Sequence, residues 1–191
     1  MGKTGTATRD KLVAVAGDLF QRQGYTGTGL NQILAEGELP RGSLYFHFPG
    51  GKEAIGVAAI AAGRDQVMDL LTMAGAEAVS LPDFLQRCAA GFSWLLQHSN
   101  YTKGCPVTAI ALEMADKSEA IRLASQQAFT AWQQALADRF IGFGLAQSEA
   151  GRFATVALAS FEGALTLSRT LRSTAPLQLT CDALITLSNN S

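Results

Sequence analysis

The chain has 191 residues, 48% of them hydrophobic and 16% charged, with a formal net charge of −1. That content supports a packed core and excludes a disordered chain, and it leaves no global attraction to nucleic acid, so any such binding has to come from a local patch. Cys88, Cys105 and Cys181 show no C-x-x-C spacing, and two histidines are too few for a usual zinc set, so reduced thiols and no metal or other cofactor are expected.

Period-two alternation is nearly absent, and apolar residues recur three and four apart, which is the helical pattern. Residues 1–9 lack the apolar run of a signal peptide, and Gly2-Lys3-Thr4 has neither the upstream glycine nor the strand of a phosphate-binding loop. Leu12, Val15, Ala16, Leu19 and Phe20 share one helical face, which Gly24 closes as a C-terminal cap. Thr28 suits the N-cap of a second, short helix that buries Leu30, Ile33 and Leu34. Pro40 suits the first position of a third helix, and Pro49-Gly50-Gly51 stops it. A long helix is expected over 52–78. Its stretch 54–63 is uncharged and mostly apolar but, at ten residues, too short to span a membrane. Further helices are expected over 82–98, 106–115, 118–143, 148–171 and 176–187. The chain therefore reads as all-α, with about nine helices. They divide into an N-terminal three-helix DNA-binding unit of the helix-turn-helix type over 1–53 and a C-terminal antiparallel helical bundle over 54–191. A soluble, cytoplasmic protein with no membrane partner is expected.

The third helix concentrates the chemistry. Only 8% of the chain is aromatic, yet Tyr45, Phe46, His47 and Phe48 are consecutive, with Arg41 before them and Lys52 after. Three short helices, the second and third joined by a tight turn, make a helix-turn-helix unit, whose third helix lies in the DNA major groove. Leu44 and Phe48 can then turn inward against Leu12, Phe20 and Ile33. Tyr45, Phe46 and His47 face outward, Gly42 permits close approach, and Arg41 and Lys52 reach base edges or phosphates. Thr28 and Ser43 complete the candidate DNA-contacting set. Residues 1–53 carry six Lys/Arg against five acids, so affinity has to rest on placement rather than bulk charge.

The run Leu30-Asn-Gln-Ile-Leu-Ala-Glu, followed by Arg41-Gly-Ser-Leu-Tyr-Phe-His-Phe and Lys52-Glu53, resembles the TetR family of one-component repressors. The glycines before Lys52, with Gly104-Cys-Pro-Val-Thr-Ala-Ile-Ala-Leu-Glu113, are similar to its LmrA/YxaF-type branch. The resemblance implies a regulator, not an enzyme, that binds double-stranded operator DNA and holds a small hydrophobic or aromatic effector, drug-like or phenolic, in its C-terminal part. One departure stands out. Where the family has Ala-Gly-Val between the second and third helices, this chain has Gly37-Glu38-Leu39, and a positive φ at Glu38 would cost about 1 kcal/mol.

For the C-terminal part, Phe84, Phe92, Trp94, Leu95, Met114, Phe129, Trp132 and Phe161 are candidates for the core. Phe92, Leu95 and Leu96 on one helix and Phe129 and Trp132 on another, with Met114 and Phe161, are the candidate effector-lining residues. The helix over 148–171 is apolar nearly all round and rich in small residues (Ala154, Ala157, Ser160, Gly163, Ala164, Ser168), so it has to be covered on more than one side. A second copy of the chain fits that need, giving a homodimer with two recognition helices. Glu113, Asp116 and Glu119 read as a solvated helix end rather than a metal site. Cys105, before Pro106, reads as a small family-type residue under a helix end rather than as an N-cap thiol of lowered pKa that would suit a redox sensor.

Overall fold

The computed structural model describes residues 3–189, with side chains from Thr6 onward. Gly2 and the side chains of Lys3 and Thr4, and with them the Lys3 charge and the Gly2-Lys3-Thr4 reading, lie outside that description. Among the described residues there are nine α-helices and no strand. They are α1 (Lys3–Gln23), α2 (Leu30–Glu36), α3 (Arg41–His47), α4 (Gly51–Ala76), α5 (Leu81–His98), α6 (Thr108–Met114), α7 (Glu119–Gly142), α8 (Gln147–Leu171) and α9 (Ala175–Ser188). None of these is long and apolar enough to cross a membrane.

The ends of the helices follow local chemistry. Gly24 takes φ +83° and its N–H donates to the Phe20 carbonyl at 3.0 Å, closing α1 as its sequence position suggests. Ser80 caps α5 by accepting from the Asp83 N–H at 3.3 Å. Three expectations are corrected. Thr28 does not cap α2; Gly29 is the N-cap, with no side-chain cap bond. Pro40 is the N-cap of α3 rather than its first residue. The helix expected from 106 begins at Thr108, because Pro106 and Val107 form a turn whose next amide, that of Thr108, donates to the Cys105 Sγ at 3.4 Å.

The chain forms two compact units, each with residues from both halves of the sequence. The first comprises Met1–Asp65 with Cys105–Ala128, and the second Gln66–Gly104 with Phe129–Ser191. The first is built on Leu12, Ala16, Phe20, Ile33, Leu44 and Ile55, all with no exposed surface. In the second, α5 packs on α8 and α9. Its centre is aromatic, with Phe140 6.2 Å from Phe84 and 5.0 Å from Phe153 between ring centroids. Ala154, Ala157, Ala164 and Ser168 face inward and let neighbouring helices approach, whereas Gly163 is exposed. Cys88 and Cys181 are buried here. Burial, then the neighbouring Cys181, pushes the Cys88 thiol up to about 12, and burial, then Asp182, pushes that of Cys181 up to about 11.

Candidate nucleic-acid interface

α3 is fixed from beneath. Leu44 and Phe48 are 0% and 4% exposed, as the alternation of the motif demands. Arg9 lies over the outer edge of this anchor, its guanidinium carbon 5.3 Å from the Phe48 ring centre. The Ser43 hydroxyl donates to the Pro40 carbonyl at 2.5 Å, so this side chain secures the first turn of α3. With the inner face filled, Arg41 and Gly42 are exposed, Tyr45 is 62% exposed and Phe46 76%. Among the described residues neither ring is covered, although Phe46 touches the His47 ring. A Cβ built on Gly42 would meet no atom within 4 Å, so nothing in the chain itself demands glycine there. His47 is half-buried against the edge of the Phe46 ring at 4.9 Å, and its Nδ1 is buried without a hydrogen-bond partner.

The turn before α3 is a Schellman motif. The Glu38 N–H donates to Ala35 O at 3.1 Å and the Leu39 N–H to Leu34 O at 2.9 Å. Its left-handed residue is Glu38, at φ +50°, where glycine is usual. Glu38→Gly is therefore expected to stabilise the protein by about 1 kcal/mol by removing the Cβ clash of that conformation. Urea denaturation at fixed protein concentration measures it, and an unchanged or lower midpoint would show that the turn carries no strain.

Two candidate contacts have other surroundings than expected. Thr28 is 1% exposed and its hydroxyl donates to the Gly24 carbonyl at 2.8 Å, so it braces the α1–α2 loop from inside rather than presenting a group at the surface. Lys52 is half-buried, with its ammonium 4.4 Å above the Tyr25 ring. Burial draws the Lys52 pKa down, against the carboxylate of Glu113, which raises it. Arg22 pairs with Asp18 and, at 3.4 Å, with Glu36, so its charge is balanced locally.

Glu113 is the residue that sequence reasoning missed. It is not a solvated helix end: Oε1 accepts from the Tyr25 N–H at 3.0 Å and Oε2 from the Thr26 N–H at 2.8 Å. Partial burial pushes its carboxyl up, but the Thr26 hydroxyl, these two amides and the Lys52 charge outweigh that and hold it below the ordinary carboxylate range.

The candidate effector-lining residues are only partly brought together. Phe92 and Phe161 lie 5.7 Å apart, and Trp132 meets Phe129 edge-on at 5.5 Å. Trp132 is 1% exposed and Leu96 2%. Leu95 is corrected: it is 49% exposed, because it sits one residue, and thus about 100° of helix, away from the inward Leu96. Trp94, also read as core, is exposed and stacks on His98 at 3.7 Å. Met114 belongs to the first unit, the others to the second. An open groove of about 790 Å³ in the second unit, lined by Ser80, Pro82, Gly142, Gly144 and Asn189 among others, contains none of these candidates.

Comparison with known proteins places this geometry. Residues 12–59 match the pattern of the bacterial regulatory proteins of the tetR family, and residues 82–183 match the C-terminal domain of LmrA/YxaF-like transcriptional regulators. The HTH-type transcriptional regulator LmrA of Bacillus subtilis (strain 168) is 36% identical over 174 residues, covering 89% of this chain and 90% of that protein. YxaF of the same strain, another HTH-type transcriptional regulator, is 34% identical over 178 residues, covering 90% of each. In fold, the crystal structure of the regulatory protein TetR from Rhodobacter sphaeroides superposes with a TM-score of 0.83 at 22% identity, covering 92% of this chain and 95% of that one. The relatives are transcriptional regulators rather than enzymes, and an outward-facing third helix is what such a regulator sets against DNA. The chain belongs to the TetR family of DNA-binding transcriptional regulators, with a C-terminal domain of the LmrA/YxaF-like kind.

Proposed function

We propose that the chain is a ligand-responsive repressor that binds a pseudo-palindromic operator as a homodimer and lets go when a small hydrophobic or aromatic effector binds. Residues 1–53 supply the DNA contacts, and 54–191 hold the effector and the second subunit. The observation that carries this reading is the outer face of α3, where Arg41, Tyr45 and Phe46 project while Leu44 and Phe48 hold the helix down. A phenol and a guanidinium can hydrogen-bond base edges and phosphates, and Phe46 can lie on a thymine methyl or a sugar. His47 and Lys52 flank this face, and Gly42 leaves room for the DNA backbone.

The dimer rests on a second apolar stripe. Val156, Leu167 and Leu171 of α8 and Leu179 and Leu187 of α9 are 41–69% exposed, with Gly163 and Ala183 in the same exposed rows. A partner's α8 and α9 would bury it, and two recognition helices would then read half-sites about 34 Å apart. In this reading the effector lies against Phe92, Leu96, Phe129, Trp132 or Phe161, and it acts only if it binds the conformation that does not fit DNA more tightly.

Tyr45→Ala is expected to weaken binding to the preferred duplex by about 1–3 kcal/mol while circular dichroism stays native. Fluorescence anisotropy with a duplex selected from a random pool measures it. Parent-like affinity would remove Tyr45 from the contacts.

A further inference from the structure

We propose that Glu113 is a positioning residue for DNA binding, a latch by which α6 holds the α1–α2 loop, and with it α2 and α3, in the arrangement that fits DNA. The inference rests on the reading of α3 as the recognition helix.

The latch joins residues 87 and 88 apart in sequence through backbone donors. One carboxylate grips the amides of consecutive residues, Tyr25 and Thr26, at 3.0 and 2.8 Å. The loop is built to admit it. A Cβ on Gly24 would stand 2.2 Å from Glu113 Oε1, and Gly24 also needs φ +83°, so the same glycine makes the turn and clears the carboxylate. Beside the grip, the Tyr25 ring lies between the Lys52 ammonium at 4.4 Å and Phe20 at 5.1 Å, and Gly56 of α4 passes so close that a Cβ there would be 2.9 Å from the ring. A second tie runs in parallel. The Ser118 hydroxyl donates to Glu53 Oε1 at 2.5 Å while accepting from the Ile121 N–H at 3.2 Å, so the cap of α7 is bonded to the start of α4.

The corner between α6 and α7 thus holds both the loop that leads into α2 and the residues that follow α3. α6 itself has only seven residues, of which Ile110 alone is buried. Its apolar grip is small, and the polar one carries a correspondingly large share. A charged acceptor with three donors is strong when aligned and lost together when displaced. Those are the properties of a two-position fastening. The Lys117 ammonium, bonded to the Glu113 carbonyl at 2.9 Å, closes the end of α6 just behind it.

Reciprocity supplies the test. If the latched state is the one that binds DNA, DNA must in turn favour the latch. In the parent protein, adding a duplex selected from a random pool should slow hydrogen exchange of the Tyr25 and Thr26 amides. In Glu113→Gln those amides should exchange faster, and affinity for the selected duplex should fall by about 5–150-fold. Affinity for an unrelated duplex and the salt dependence should stay as in the parent, because no phosphate contact is removed. A residue that only stabilised the fold would leave the ratio of selected to unrelated binding unchanged in folded protein. Glu113→Ala, measured below its melting temperature, repeats the comparison without any acceptor. Faster exchange with parent-like selectivity, or amides indifferent to both DNA and mutation, overturns the proposal. Tyr45→Ala run alongside separates the two readings. A parent-like Tyr45→Ala with a weakened Glu113→Gln removes Tyr45 from the contacts and keeps the latch, and the opposite pattern overturns the latch alone.

Discussion

Trp132→Ala is expected to cost about 3–5 kcal/mol of stability and to lower the melting temperature by roughly 6–20 °C. Trp132 is among the largest side chains with under 2% exposure, and alanine would leave a cavity that α7 cannot collapse to fill. Differential scanning calorimetry at fixed protein concentration measures the loss, and a shift below about 2 °C would mean the ring is loosely held. The same residue is the candidate stacking surface for a flat effector, and the two roles are separable by light. In Trp94→Phe protein Trp132 is the sole tryptophan, because the chain has two. Its emission should resist iodide, whereas the 55% exposed Trp94 should supply most of the quenching in the parent. A phenolic compound that releases DNA and changes Trp132 emission places the effector at this ring. Release without that change places it elsewhere and leaves Trp132 as core.

Affinity for the selected duplex should fall by about 10³–10⁵ between 50 and 200 mM salt if a dimer neutralises six to ten phosphates. This steepness is expected despite a net charge of −1. Arg22 is already paired with two acids, so in the proposed reading the attraction has to come from a few cations set beside α3 rather than from the whole protein. The slope also measures Lys52. If its ammonium swings from Tyr25 to a phosphate, Lys52→Ala should reduce the slope by about one per subunit. A slope near zero in the parent would show that phosphate contacts are not the main attraction.

The inner and outer faces of α3 were legible in the sequence because their signal is local. Leu44 and Phe48, four apart, had to share a side, and the residues between them then had to face out. The strain at Glu38 was legible for the same reason, since a one-residue displacement of glycine in a tight turn has one backbone consequence. Thr28 was misread because a hydroxyl before a helix suits a cap by residue type, yet Gly29 follows it and takes the cap position. Leu95 was grouped with Leu96 although neighbouring residues diverge on a helix. Glu113 closes the run that resembles the LmrA/YxaF-type branch, yet nothing in the sequence shows what it holds. Its partners are backbone amides, which every residue carries, and they lie far away in sequence, so neither residue type nor spacing announces them. The glycine opposite it, Gly24, could be read for its turn but not for the space it leaves.

The composition of the first compact unit bears on protein engineering. A hybrid sensor made by joining residues 1–53 to a foreign effector domain would carry the reading helix away from Glu113 and Ser118, which come from the far side of the splice. The Tyr25 and Thr26 amides would lose the Glu113 carboxylate, and if that carboxylate is the latch proposed above the hybrid should bind its site weakly. The compact unit is a pair of segments, so if the latch acts as proposed the stretch from Cys105 to Ala128 has to travel with the head.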